Sequence, residues 1–500
     1  MKKILKKLLV FVFAVASLLP MLNAKADEIP TNGKNDNSGK ITITNAVKDQ
    51  EYKVYQILTL ESYDTVKEAY TYKVNPESPW YEFLTNGEGK NYVKVETGTN
   101  IVTWKSGADK VAFAEKAIDY AKTNSVAHTQ KKTASTETLE FTELNLGYYL
   151  VDSTLGALCN LTTTKPVIEI VEKNGIPTVD KEVKEDSTST FGSTNNDEIG
   201  KTIYFQTTIN AKNGAEKYVL YDKMDEGLSL NEQSISIVLK RKDQNDKTLV
   251  LGTDYTVSTT TEGYTFVVDF KEAFEKTLIN DDKVVVSYNA ILNEKAVVGE
   301  TGNKNETHLK YGDNNESNYD ETRTYTFSFN LIKVNNKSEQ LTGAEFNLYD
   351  AKTNGNMIAL VKDGDIYRVA TEAEKAKEGF KSATIVAGSV TIKGLDDDAS
   401  YYLEETVAPN GYNKLTSRVE VRLNSEISNE TNESTVTLTG ADVTTVKYTT
   451  DTVSIINITG DILPSTGGMG TVLFVTIGSI LVLGFGVLLV TKLRMSKVAL

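Results

Sequence analysis

Three kinds of stretch alternate along the chain. Leu8 to Ala24 is uncharged, and no charge appears between Asp461 and Lys492. Between these apolar ends, runs of four to ten residues rich in Val, Ile, Thr, Tyr and Phe are punctuated by Gly, Asn and Asp. Such runs suit strands on a half-buried sheet. "KITITNAV", "YKVYQILTL", "LGYYLVDS" and "KPVIEIVE" predict strands of a first domain from Ile41 to Val171. Inside it, "GADKVAFAEKAIDYAKTN" predicts one helix, with Val111, Ala114, Ile118 and Ala121 on its packed face.

Gly175, Pro177 and a Ser/Thr/Asn run then interrupt the pattern. A second strand-rich region holds "KTIYFQTTINA", "KYVLYDKM", "KVVVSYNAIL" and "THLKYGDN". A third runs from "YTFSFNLIKVNNKSEQLTGAEFNLYDA" through "SVTIKGLD" and "ASYYLEETVAPNGY" to "TVSIINITGD". The expected fold class is all-β, with tandem immunoglobulin-like β-sandwiches. The expected divisions are 1–26, 27–174, 175–323, 324–461 and 462–500.

The two ends fix a topology. Lys2, Lys3, Lys6 and Lys7 precede the first apolar run, and Ala24-Lys25-Ala26 follows it, which is the layout of a secretory signal peptide. The mature chain is expected to start at Asp27. Residues 471 to 490 are long and apolar enough for a bilayer-crossing helix, and Lys492, Arg494 and Lys497 hold the tail in the cytoplasm. Everything between lies outside the membrane.

Composition narrows the function. A formal net charge of −14 argues against a nucleic-acid partner. Two histidines, His128 and His308, leave little material for histidine-based catalysis or metal binding. The single cysteine, Cys159, excludes an internal disulfide and reads as a small buried hydrophobe. The acidic "YGDNNESNYDE" lacks calcium-loop spacing and reads as a solvated turn. No cofactor, metal or turnover enzyme is expected.

Leu463-Pro464-Ser465-Thr466-Gly467, the apolar helix and the basic tail together resemble the cell-wall sorting signal of Gram-positive surface proteins. The resemblance implies that a sortase cuts between Thr466 and Gly467 and passes the Thr466 carboxyl to an amine.

In the third region, "LIKVNNKSEQLTGAEFNLYD" and "YYLEETVAPNGY" resemble the collagen-adhesin (Cna) B-type domain. The family pattern implies an amide bond from Lys333 to Asn457, promoted by Glu405. In the second, "PTVDKEV", "YVLYDKMDEGLSL" and "NKNETHLKYGDN" resemble a Cna A-type domain. They imply Lys181, Asp222 and Asn305 in the same roles, with Asp225 and Glu226 near the acid. Each lysine lies 124 residues before its asparagine (305 − 181 and 457 − 333). In the first domain Asp152 stands where the acid belongs, but Thr44 or Asn45 occupies the lysine position, so no bond is expected there.

Physical chemistry supports such a reaction. Burial neutralises an amine and keeps a carboxyl protonated. The neutral amine then attacks an amide whose carbonyl the acid polarises, and ammonia leaves.

"IEIVEKNG" resembles a degenerate pilin motif and implies Lys173 as the acceptor of Thr466; Lys165 in "TTTKPV" is the rival. As a whole the chain resembles the backbone (major) pilins of sortase-assembled Gram-positive pili. The partners implied are a pilus-specific class C sortase, a housekeeping sortase, other copies of the chain, peptidoglycan and ancillary pilins. The implied location is the cell wall, reached through a membrane-bound precursor. The alternative is a wall-anchored adhesin or ancillary pilin that is not polymerised through its own lysine.

Overall fold

The computed structural model describes residues 37–64, 69–154, 156–158, 167–172, 175–214, 216–313, 315–428, 430–440, 442–459 and 469–496. The chain divides after Gly175 into two compact units.

The first unit is built around strands β1 (Gly39–Thr44) and β2 (Glu51–Asp64), helices α1 (Pro79–Thr85) and α2 (Lys110–Thr123), and strands β3 (Thr138–Leu144), β4 (Gly147–Ser153) and β5 (Val167–Val171). β1 pairs in parallel with β5 and antiparallel with β3, forming a small sheet. β2 and β4 are central in a seven-stranded sheet. Both faces of that sheet are covered. Tyr52, Val54, Tyr149 and Val151 pack with Ile41, Ile43, Phe141 and Ile170 of the small sheet. Tyr55, Ile57, Tyr148 and Leu150, on the other face, pack against Trp80 and Phe83 of α1 and Phe113 and Ile118 of α2. Strand alternation thus places one row of side chains in each core.

Two expectations for this unit need correction. Val111 is 53% exposed; the buried face of α2 is Phe113, Ala114, Ala117, Ile118 and Ala121. Phe113 takes that place because Trp104, Phe83 and Tyr92 ring it at 5.0, 5.6 and 5.8 Å between centroids. α2 is also not alone. "SPWYEFLT" forms α1, with the Ser78 hydroxyl capping the N–H of Trp80 and Pro79 in the first turn, where its missing N–H costs nothing.

The second unit holds two pairs of sheets. The first pair is carried by β6 (Thr178–Lys184), β7 (Thr202–Asn210), β8 (Val219–Met224), β9 (Phe266–Phe270), β10 (Lys283–Leu292), β11 (Asn303–Tyr311) and β12 (Asp320–Tyr325). β6, β7 and β10 are successive neighbours in one sheet; β12, β11, β8 and β9 are successive neighbours in the other. Asn305 lies on β11, which is not the last strand of its sandwich, because β12 follows and pairs alongside it.

The second pair is carried by β13 (Phe327–Asn335), β14 (Ala344–Tyr349), β15 (Ser389–Leu395), β16 (Ser400–Val407), β17 (Val419–Ile427) and β18 (Thr452–Asn457). β15, β13 and β18 are neighbours in one sheet; β14, β16 and β17 are neighbours in the other. β13 and β18, the first and last strands, run parallel, with Lys333 opposite Ile455 and Asn335 opposite Asn457. Beyond them, α3 (Met469–Ser496) contains a span from Phe474 to Met495 with mean hydropathy 2.4, long and apolar enough to cross a bilayer.

Candidate functional site

Lys181 and Lys333 are the only buried lysines among the described residues. Each lies in the inward row of a first strand. On β13 the row is Phe327, Phe329, Leu331, Lys333; on β6 it is Lys181 and Val183. A strand register that buries the apolar residues has no choice but to bury the amine with them.

In the earlier sandwich the Lys181 ammonium nitrogen Nζ is 2.6 Å from Asp222 Oδ2. Neither side chain is exposed. Tyr288, inward on β10, donates its hydroxyl to Asp222 Oδ2 at 2.5 Å and touches Lys181 Nζ as well. Asn305 Nδ2 donates to the same hydroxyl oxygen at 3.2 Å. The backbone N–H of Lys181 donates to Asp320 Oδ2 at 2.6 Å, clasping β6 to the opposite sheet at this residue. Burial pushes the Lys181 amine down, against the pull of the Asp222 charge. Burial likewise pushes the Asp222 carboxyl up, against Lys181 and Tyr288. Both shifts favour a neutral amine beside a neutral acid. Asp222 Oδ1 and Asn305 Oδ1 are buried and lack hydrogen bonds. A proton on Asp222 converts one orphaned acceptor into a donor. Asp225 and Glu226 serve elsewhere: Asp225 accepts from the Lys304 N–H, and Glu226 pairs with Lys295 at the surface.

In the later sandwich Lys333, Glu405 and Asn457 are all buried. Lys333 Nζ donates to the carbonyl of Ile455 at 2.8 Å, two residues before Asn457. Burial draws the Lys333 amine down to about 8, although the Glu405 charge opposes this. Asn457 Nδ2 donates to Glu405 Oε1 at 3.0 Å and Oε2 at 3.1 Å, and to the Asn413 carbonyl at 2.8 Å. The Leu415 N–H also donates to Glu405 Oε2, at 2.7 Å. The amide thus turns its nitrogen to the acid, where sequence reasoning expected its oxygen. Asn457 Oδ1 has no partner. The Asn413 carbonyl accounts for the orientation, since it accepts hydrogen bonds only.

The first unit lacks the set. The inward row of β1 ends at Ile43 after Ile41, with Thr44 half-buried and Asn45 exposed. Asp152 is buried, with Lys122 Nζ 3.6 Å from its Oδ1. Lys173, Lys165 and Leu463 to Gly467 lie outside the described residues, as does the N-terminal segment through Asp36.

Acidic groups gather elsewhere in the second unit. Asp186, Asp197 and Asp396 have oxygens within ligand distance of one another. Burial pushes Asp197 up to about 7 and Asp396 up to about 8. In the acidic stretch after β11, Asp313 pairs with Lys217 and Glu316 with Lys310.

Sequence reasoning missed Tyr288 and Asp320. The signal for Tyr288 was present. In "KVVVSYNAIL" the inward row is Val284, Val286, Tyr288, Ala290 and Leu292, so its hydroxyl faces the same core as Lys181. Asp320 gave no signal, because its contact depends on the pairing of distant strands.

The described residues thus combine tandem β-sandwiches, a buried amine–carboxyl–carboxamide set in two of them and an apolar C-terminal helix. Residues 327–442 match the SpaA prealbumin-like fold domain. The trypsin-resistant surface T6 protein of Streptococcus pyogenes serotype M6 is 25% identical over 285 residues, 51% of this chain and 47% of that protein. The match therefore spans about half the length of that relative. The T6 backbone pilin of the same serotype, solved as a modular three-domain structure, superposes with a TM-score of 0.50 at 16% identity, covering 85% of this chain and 98% of that one. The full-length major pilin SpaD of Corynebacterium diphtheriae gives 0.43 at 16% identity, covering 86% of this chain and all of the other.

Proposed function

We propose that the chain is the structural subunit of a covalently polymerised pilus shaft. A sortase joins Thr466 of one copy to Lys173 of the next, and amide bonds from Lys181 to Asn305 and from Lys333 to Asn457 brace each copy internally. The observation that carries this reading is the burial of two lysines, each grouped with a carboxyl and near a carboxamide, in a fold where every other described lysine reaches solvent. A buried amine with no catalytic turnover to perform needs a reason to stay.

The internal chemistry requires nothing beyond the chain. The ammonium passes one proton to the carboxylate, the neutral Nζ attacks the asparagine Cγ, the Nζ–Cγ bond forms, a second Nζ proton passes to Nδ2, the Cγ–Nδ2 bond breaks, and ammonia leaves with the acid neutral. Packing holds the partners in place, an orientation effect of about 7–11 kcal/mol at its best. Head-to-tail joining repeats a contact that does not close on itself, which gives a filament.

The test is Lys173→Ala in the native host. It should abolish the high-molecular-weight ladder in wall extracts while the monomer stays folded. An unchanged ladder would assign the acceptor role to another lysine, Lys165 first. Peptide maps showing Lys181 and Lys333 free would overturn the internal bonds.

A further inference from the structure

We propose that Tyr288 is a catalytic residue of the Lys181–Asn305 reaction, relaying a proton from the attacking nitrogen to the leaving one. This rests on the reading that Lys181 and Asn305 bond.

The hydroxyl of Tyr288 touches all three members of the set: Lys181 Nζ, Asp222 Oδ2 at 2.5 Å and Asn305 Nδ2 at 3.2 Å. Among the described residues it is the hydrogen-bond partner of Asn305 Nδ2, the nitrogen that must depart. Asp222 contacts Lys181 and Tyr288. The site is sealed, with Lys181, Asp222, Tyr288 and Asn305 each exposed by 3% or less. With the four side chains closed off from bulk solvent, the hydroxyl that bridges the two nitrogens offers the short route for a proton between them.

The ring is held for this task. It stacks on Phe205, its cross-strand partner, at 5.6 Å and 21° between planes, and meets Phe266 edge-on at 4.9 Å. Burial and the Asp222 charge keep the phenol protonated.

The step balances. Lys181 first gives a proton to Asp222, and neutral Nζ adds to Asn305 Cγ. As the adduct collapses, Tyr288 Oη gives its proton to Nδ2 while taking one from Nζ. The Cγ–Nδ2 bond breaks and ammonia leaves. Tyr288 is restored, and Asp222 remains a neutral acid.

The later sandwich explains why only one site needs the phenol. There Asn457 Nδ2 contacts both oxygens of Glu405 directly. Aspartate is one methylene shorter than glutamate, and in the earlier sandwich Tyr288 spans the gap between acid and amide.

The experiment follows the Lys181–Asn305 and Lys333–Asn457 crosslinked peptides in pulse-labelled full-length chain. Tyr288→Phe should slow formation of the first by about 10²–10⁴-fold, the range of general acid–base catalysis, and leave the second unchanged. Replacing Tyr288 with ring-fluorinated tyrosines keeps its shape and raises its acidity. The first crosslink should then form at a rate that tracks phenol acidity, which a spacer would not cause. This arm keeps the test decisive if Tyr288→Phe misfolds. Wild-type rates in both arms would overturn the relay while leaving the bond intact. A wild-type chain with Lys181 free would overturn the bond itself and the relay with it.

Discussion

Lys333→Met isolates what the proposed Lys333–Asn457 bond contributes to stability. Methionine keeps the length and apolar stem of lysine but has no nucleophile, so the Asn457 amide stays intact. Native strain from the bond should be small, because β13 and β18 are already paired and Lys333 Nζ already sits 2.8 Å from the Ile455 carbonyl. The main loss is then the closure of the loop from residue 333 to residue 457 in the unfolded state, about 5 kcal/mol on the chain-entropy model. For a domain of this size that lowers the melting temperature by about 10–20 °C.

Asn457→Ala should cost more, because it leaves the amine buried and unbonded. With the Lys333 amine drawn down to about 8 from its ordinary 10.5, keeping it charged at neutral pH adds a further penalty of about 3 kcal/mol. The sign of the pH dependence follows. Between about 8 and 10.5 the unfolded chain holds a proton that the folded chain has released, so stability rises with pH across that window. Below it both states are protonated and the penalty is constant. With the proposed bond formed, the wild-type amide would not titrate, and Lys333→Met has no amine, so neither should show this rise. Scanning calorimetry of the three chains from about pH 6 to about pH 11, with peptide maps of each, measures all of this. Equal melting temperatures for wild type and Lys333→Met would refute the reasoning, as would a wild-type map with Lys333 free.

Other outcomes follow from the same geometry. Intact mass of the wild-type chain should fall by about 17 Da, one ammonia, for each internal bond. Glu405→Ala should leave Lys333 and Asn457 unlinked while Lys181 and Asn305 still join; a retained Lys333–Asn457 peptide would mean that another acid serves. Phe113→Ala should destabilise the first unit by about 3–5 kcal/mol, whereas Val111→Ala should stay within about 0.5 kcal/mol, as measured by denaturant unfolding.

Strand positions and the register of each strand are legible from alternation alone. "FSFNLIK" already places Lys333 in line with Phe327, Phe329 and Leu331, and local pattern decides which face a side chain takes. Other features depend on which strands meet, and no local pattern encodes that. Lys181 and Asn305 belong to opposite sheets, whereas Lys333 and Asn457 belong to neighbouring strands of one sheet, yet the two pairs have the same sequence spacing. Asp320 reaches the Lys181 backbone only because β12 folds back beside β6. On α2 the helical period is plain in the sequence but the centre of its buried face is not, because the aromatic cluster around Phe113 is assembled from residues far apart in the chain.

The parallel placement of β13 and β18 has a mechanical consequence. In the proposed filament a pull would enter this sandwich at Phe327 and exit past Asn457. With the amide in place, tension runs down six peptide links to Lys333, crosses one covalent bond and departs. The 123 residues from 334 to 456 hang beside the taut line as an unstressed loop. Drawn straight, they would pay out about 400 Å of slack per subunit. A tethered bacterium buffeted by flow would keep a cord of nearly constant length.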